Sequence, residues 1–91
     1  MILVTMTLHS AITGQPTELV SIRIVNDGTG TPTLGNYTFR ITGKNSKQVL
    51  KQGAVKDWPR KSKTALALLQ RVINTAYPKG DLGVPTEEGI L

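Results

Sequence analysis

Basic residues gather near the middle of the chain, where they stand at Lys56, Arg60, Lys61 and Lys63. Their spacing places them around the start of the only convincing helical pattern. A helix N-terminus presents free backbone N–H groups and about half a positive charge, so cations beside it build a site for phosphate. The alternative is a solvated surface whose charge Asp57 partly offsets. Arg71, farther along the predicted helix, extends either surface.

A second group of residues suggests phosphate contacts from strands. Arg40 stands between Thr38 and Thr42 in an alternating segment, so the three side chains are expected on the outward face of a strand. Lys47 and Lys51, from the following turn and strand, are expected to neighbour them. Hydroxyls and cations along strands contact phosphates in β-sheet proteins that bind nucleic acid. The alternative is an ordinary solvated sheet face, which the lack of outward aromatic residues favours.

The sequence contains no convincing motif for catalysis or metal binding. It has no cysteine, which excludes disulfides and thiolate chemistry. The segment Asp27-Gly28-Thr29-Gly30 is only superficially like a phosphate loop, because no helix follows it and no lysine accompanies it. His9 and Ser10 are strand neighbours whose side chains point to opposite faces. We therefore expect a non-enzymatic protein with no cofactor, no metal and no small-molecule substrate.

The positive charge is concentrated in one part of the chain. The net charge is +5, but residues 40–71 hold nine basic residues against one acid, which gives +8. Residues 1–39 carry −1 and residues 72–91 carry −2. A domain polarised in this way attracts nucleic acid, anionic lipid or an acidic protein face. The alternative function of this charge is solubility alone.

Alternating apolar residues predict four strands, at residues 1–9, 17–25, 36–42 and 48–58. The glycine-rich stretch at residues 26–35 is expected to be a long exposed loop, and Gly53 is the expected site of a β-bulge. A helix with one apolar side is predicted up to Tyr77, with Pro59 suited to its first turn. Pro78 and Gly80 end it.

These elements predict an α+β fold, a four-stranded antiparallel sheet with one C-terminal amphipathic helix packed on one face. We expect a single domain over residues 1–78 and a flexible tail over residues 79–91. No apolar run approaches the ~20 residues of a membrane span, so no membrane contact is expected. The N-terminal run has no basic residue before it, unlike a signal peptide, and a cytoplasmic location is expected.

Several segments of the chain carry a resemblance to known proteins; they read IVNDGTG at residues 24–30, GNY at 35–37, GAVKDWPRK at 53–61 and LLQR at 68–71. Over residues 6–77 the chain resembles a set of short uncharacterised proteins of phages and prophage regions. The resemblance implies an accessory role in a mobile element, performed in the host cytoplasm. Residues 60–65 are also distantly similar to the basic helix start of double-stranded-RNA-binding domains, although a strand replaces their N-terminal helix.

The leading hypothesis is a protein whose basic surface binds nucleic acid or a host nucleoprotein complex, as in the inhibition of a host defence machine such as a CRISPR surveillance complex. The rival hypothesis is a protein–protein interaction module, or a self-associating structural protein, without nucleic-acid contact. DNA, RNA and acidic protein remain alternative partners, and either a monomer or an oligomer fits. The residues expected to form the binding surface are Lys56, Arg60, Lys61, Lys63, Arg71, Arg40, Lys51 and Lys47.

Overall fold

A single antiparallel sheet carries one helix on one of its faces in the computed structural model, which describes residues 2–10, 12–61, 65–79 and 82. The strands lie in the order β1-β2-β3-β4, so neighbours along the chain are also neighbours in the sheet. The predicted α+β class, with a four-stranded antiparallel sheet and a C-terminal helix, is confirmed. The elements are β1 (Ile2–His9), β2 (Pro16–Gly30), β3 (Leu34–Gly43), β4 (Val49–Pro59) and α1 (Ala65–Ala76).

The core lies between one face of the sheet and the apolar side of α1. Successive strand residues point to opposite faces, so the alternating apolar residues of β2 and β3 all reach the same face. On α1 the buried residues recur at helical spacing and cover that face. Each large apolar side chain buried here contributes about 1.5 to 3 kcal/mol. The fully buried side chains are Val4, Val20, Ile22, Ile24, Ile41, Leu69, Val72 and Ile73.

The stretch at residues 26–35 forms a strand hairpin over most of its length, so the predicted long loop is wrong there. β2 continues to Gly30, and β3 already begins at Leu34. Polar side chains satisfy backbone groups where the pairing is irregular: Gly28 N donates to Asn26 Oδ1 at 2.8 Å and Thr29 N donates to Asp27 Oδ1 at 2.8 Å. Local side-chain bonds of this kind stabilise turns without regular ladder pairing.

Gly53 is not the site of a bulge, and that prediction is wrong. It pairs regularly with Phe39, and a Cβ at Gly53 would lie 3.0 Å from the Cζ atom of the Phe39 ring. A side chain at Gly53 would therefore require the Phe39 ring to move by a few tenths of an ångström. The register of β4 shifts on either side of it, with one extra residue at Leu50 and another at Lys56 and Asp57, where Asp57 has φ of 57°.

The start of the helix and the segment that follows it differ from expectation, whereas the predicted helix end near Tyr77 agrees with the end of α1 at Ala76. Pro59 is the last residue of β4, and α1 begins only at Ala65, so the placement of Pro59 in the first helical turn is wrong. Leu82, within the predicted tail, is only 3% exposed and belongs to the core cluster. The folded unit therefore includes Leu82. The other residues of the predicted tail beyond Lys79 lie outside the described residues.

Candidate nucleic-acid interface

The face of the sheet opposite α1, called the open face below, is not covered by any of the elements described above. Its residues alternate with the buried ones, so their positions follow from the core pattern and the strand register. A groove of about 850 Å³ runs across it, and none of the described residues that line this groove is acidic. The side chains of the open face that line the groove are Leu3, Ser21, Arg23, Val25, Thr38, Arg40, Thr42 and Gln52.

Two arginines face each other at the centre of this groove. Arg23 on β2 pairs directly with Arg40 on β3, and both are exposed. Leu19 O accepts a hydrogen bond from Lys44 N at 3.0 Å, which fixes the alternation of the β2–β3 ladder. By that alternation the backbone N–H and C=O groups of Arg23 and Arg40 bond to each other, which places their Cα atoms about 5.5 Å apart. Among the described residues, neither arginine side chain has a hydrogen bond or ion pair.

The arginine pair is electrostatically unfavourable in the free protein. Two like charges about 6 Å apart in water repel by about 0.7 kcal/mol, and like charges directly opposite on a sheet are destabilising. An anion placed between the two guanidinium groups removes this repulsion. Arginine presents several N–H donors in a planar fork that matches phosphate. The arrangement of Arg23 and Arg40 is therefore suited to binding a phosphate or carboxylate.

The open face offers no aromatic side chain for stacking on bases. All four aromatic residues of the chain belong to the core side, where the Phe39 side chain is buried and the other three pack partly buried against the core: Tyr37, Trp58 and Tyr77. Single-stranded nucleic-acid binding proteins usually stack bases on aromatic rings. The hydroxyl and amide groups around Arg23 and Arg40 instead suit contacts to phosphate and sugar.

Lys51 does not lie beside Arg40 on the outward face, and that expectation is wrong. The residue opposite Arg40 is Gln52. Because Gly53 is not a bulge, the alternation that buries Val55 directs Lys51 to the helix side of the sheet. There the Lys51 Nζ atom lies 5.6 Å from the centroid of the Tyr77 ring, within range of a cation–π interaction.

Arg60 is occupied within the fold and does not project toward a partner. Its Nε donates to Thr31 O at 2.6 Å and its Nη2 donates to Thr29 O at 3.0 Å. Its backbone N also donates to Thr33 O at 2.9 Å. Arg60 thus ties the end of β4 to the β2–β3 hairpin. The Arg60 side chain passes over Gly35, where a Cβ would lie 3.4 Å from its Nη1 atom, an ordinary van der Waals distance.

A polar network continues from this hairpin toward the edge of the sheet. Asn36 Nδ2 donates to Thr29 Oγ1 at 2.8 Å, Thr29 Oγ1 donates to Asp27 Oδ1 at 2.6 Å, and Asp57 N donates to Asn36 Oδ1 at 3.0 Å. The side-chain hydrogen bond from Thr29, its backbone hydrogen bond and the nearby positive charge of Lys56 lower the pKa of Asp27. Asp27 is thus held ionised beside the exposed Lys56.

The remaining expected binding residues lie in separate places. Lys47 occupies the β3–β4 turn, at the opposite end of the sheet from the exposed Lys56 and Lys61. Arg71 is exposed on α1, on the other side of the molecule from the open face. Lys63 lies outside the described residues. Of the described basic residues expected from the sequence to bind a partner, only Arg40 lies in the groove, between Thr38 and Thr42, which were also expected on this face.

Arg23 was not among the residues expected from the sequence. The alternation of β2 places Arg23 outward with Ser21, and that signal is visible in the sequence. Its pairing with Arg40 depends on the register between β2 and β3, which is regular from Val20 to Asn26. The direct juxtaposition of the two arginines is therefore a result of the tertiary structure.

Comparisons with family models, curated proteins and solved structures find no match to the chain. Within the described residues, no cluster of histidine, aspartate and glutamate is arranged to hold a metal ion. The described helix is too short to cross a membrane. The described residues define an α+β fold with a sheet face that none of the described elements covers and that is centred on two arginines.

Proposed function

We propose that the chain is a non-enzymatic binding protein whose open face engages the phosphate backbone of nucleic acid. The observation that carries the proposal is the Arg23–Arg40 pair, which lies at the centre of a groove whose lining, within the described part of the chain, holds no acid. The polarised charge of the sequence supports it, because a basic surface attracts a polyanion over long range.

The chemistry of the groove favours contacts to phosphate over reading of bases. The two guanidinium groups bind phosphate oxygens, and the hydroxyls of Thr38 and Thr42 add neutral donors on the same strand as Arg40. Without aromatic rings on the open face, the protein has no platform for base stacking. Binding is therefore expected to depend strongly on salt and weakly on base sequence.

The test is a titration of short labelled duplex DNA, single-stranded DNA and RNA, followed by fluorescence anisotropy at several salt concentrations. For duplex DNA, each phosphate contact adds about −0.9 to the slope of log K against log salt. Arg23→Gln and Arg40→Gln are each expected to weaken binding about tenfold, since a charge-assisted hydrogen bond contributes about 1.5 to 3 kcal/mol. Each variant should also make the slope shallower by about one contact.

Arg71→Gln is the matched control, because it removes the same charge from an exposed position on α1. It is expected to change binding only slightly, through the long-range field. If Arg71→Gln weakens binding as much as Arg40→Gln, the interface is not on the open face. If no variant changes a weak, salt-insensitive response, direct binding of nucleic acid is refuted.

A second candidate function is contact with an acidic face of a protein, such as a component of a host nucleoprotein complex. The observation that favours it is the exposed apolar surface around the arginine pair, where Leu3, Leu19 and Val25 are 37%, 47% and 36% exposed. Exposed apolar side chains contribute to protein interfaces and contribute little to phosphate contacts. This function predicts a stoichiometric complex from nuclease-treated host lysate that Arg40→Glu disrupts and Arg71→Glu leaves intact.

A further inference from the structure

β1 forms an outer edge of the sheet with no partner strand among the described residues. It pairs with β2 on one side only, from Ile2 to His9. An edge strand presents unpaired N–H and C=O groups, which form a template for another strand. The binding capacity of β1 is separate from the open face and does not rest on the proposed function.

The free backbone groups of β1 can be assigned to particular residues. Leu19 uses its carbonyl oxygen to accept from Lys44 N, so its backbone groups point toward β3. Leu19 pairs with Thr7, which makes that pair non-hydrogen-bonded and turns the N–H and C=O of Thr7 to the outer edge. By alternation, the N–H and C=O groups of Leu3 and Thr5 also point to the outer edge.

β1 lacks the features that protect edge strands from pairing. Its sequence, ILVTMTLH, has no lysine, no acid and no proline, and its register is regular up to Leu8. The other edge, β4, carries Lys51, Lys56 and Pro59 and has register shifts at two places. Charges, proline and bulges block edge-to-edge pairing. β1 is therefore the edge that is open to a partner strand.

We propose that β1 pairs antiparallel with the β1 strand of a second copy of this chain, about a two-fold axis at Thr5. In this register the outward backbone N–H and C=O groups of Thr5 bond to those of Thr5 in the second copy. The outward groups of Leu3 in each copy bond to those of Thr7 in the other. The pairing forms about six backbone hydrogen bonds, two for each hydrogen-bonded pair. The product is a continuous eight-stranded sheet with both helices on the same side.

The charge distribution favours a second copy as the occupant. β1 carries no charged residue, so two identical strands meet without repulsion. The strong positive charge lies in residues 40–71, and the part of the chain nearer to β1, residues 1–39, has a net charge of −1. Pairing through β1 therefore keeps the basic parts of the two copies apart. An uncharged strand also gives no electrostatic preference for a charged foreign peptide.

The helix side of β1 adds apolar contact to this interface. Ile2, Met6 and Leu8 are only partly buried within one chain, although they pack against its core. In the antiparallel pair, Val4 meets Met6 of the copy, and the partly buried row continues across the interface. The two β2 strands then lie three strand spacings apart, about 14 Å. Both arginine pairs therefore lie on one continuous surface.

The experiment compares Thr5→Pro with Thr5→Val by sedimentation equilibrium over a range of protein concentrations. The mass of the chain is 9.8 kDa, so the wild type is expected to approach twice that mass as concentration rises. Thr5→Pro removes an outward N–H that the β1–β2 ladder does not use, and an edge strand accepts proline at such a position. It is expected to raise the dimer Kd at least tenfold, whereas Thr5→Val keeps the N–H and dimerises normally.

Circular dichroism shows whether the proline variant folds. A second pair of variants tests the register without depending on the proline variant. Thr5→Lys and Thr5→Glu should each be monomeric alone, because like charges meet at the two-fold axis, and should form a dimer when mixed. Ser21→Lys adds the same charge in the same row, one strand away from the edge, and should still dimerise. A wild type that stays monomeric, or a dimer insensitive to these changes at Thr5, overturns the proposal.

Discussion

Replacing Arg40 with glutamate is expected to make the fold more stable while it removes anion binding by the open face. In the wild type, Arg40 faces Arg23 and adds about 0.7 kcal/mol of repulsion. Arg40→Glu replaces the repulsion with an attraction of similar size. Measured cross-strand charge pairs contribute about 0.2 to 1 kcal/mol, so the free energy of unfolding should rise by about 0.5 to 1 kcal/mol.

The assay is urea unfolding of the wild type and Arg40→Glu, with thermal unfolding as a second measurement. For a domain of this size, a gain of 0.5 to 1 kcal/mol corresponds to a Tm increase of roughly 3 to 6 °C. The gain should shrink at high salt, because the Debye length falls from about 10 Å at 0.1 M to about 3 Å at 1 M. Arg71→Glu makes the same change of net charge on α1, so it controls for the overall charge.

The reasoning about the groove would be wrong if Arg40→Glu were no more stable than Arg71→Glu. It would also be wrong if the gain in stability were the same at low and high salt, since the effect would then not be electrostatic. A variant that is more stable yet still binds nucleic acid as the wild type does would separate the arginine pair from function. The expected result is a gain of stability together with a loss of binding.

Three further predictions concern the β2–β3 hairpin, the β3–β4 turn and the loss of thermal stability at acidic pH. Arg60→Ala should lower the free energy of unfolding by about 1 to 2 kcal/mol through lost hydrogen bonds, while Lys61→Ala should change it little; urea unfolding of both variants checks this. Lys47→Gly should raise stability by about 0.5 to 1 kcal/mol, because Lys47 has φ of 61°, and an unchanged or lower urea midpoint would contradict this. Because folding lowers the pKa of Asp27, this carboxylate stabilises the fold at pH values above its ordinary pKa of 3.8, and the stabilisation is lost as the pH falls through the folded-state pKa. In Asp27→Asn, the Tm should therefore fall less between pH 5 and pH 2 than in the wild type.

The sequence predicted the element order and the fold class because both depend on local pattern. Period-2 alternation identified all four strands, and the helical spacing of Leu68, Leu69, Val72 and Ile73 identified the buried side of α1. The glycine-rich stretch at residues 26–35 was predicted as a loop because it is polar, contains three glycines and one proline, and lacks regular alternation. In the structure its side-chain and backbone hydrogen bonds allow the hairpin to continue to Gly30.

Composition and alternation are enough to show that the chain is basic, lacks cysteine and has one sheet face and one helix side to bury. The identity of the basic residues that are available to a partner depends on the packing of the folded chain. A register shift by one residue exchanges the two faces of a strand, so the absence of a bulge at Gly53 turned Lys51 away from the open face. Hydrogen bonds to carbonyls distant in sequence occupied Arg60, and the β2–β3 register brought Arg23 to Arg40. These outcomes depend on contacts between segments far apart in the chain, which local sequence patterns do not specify.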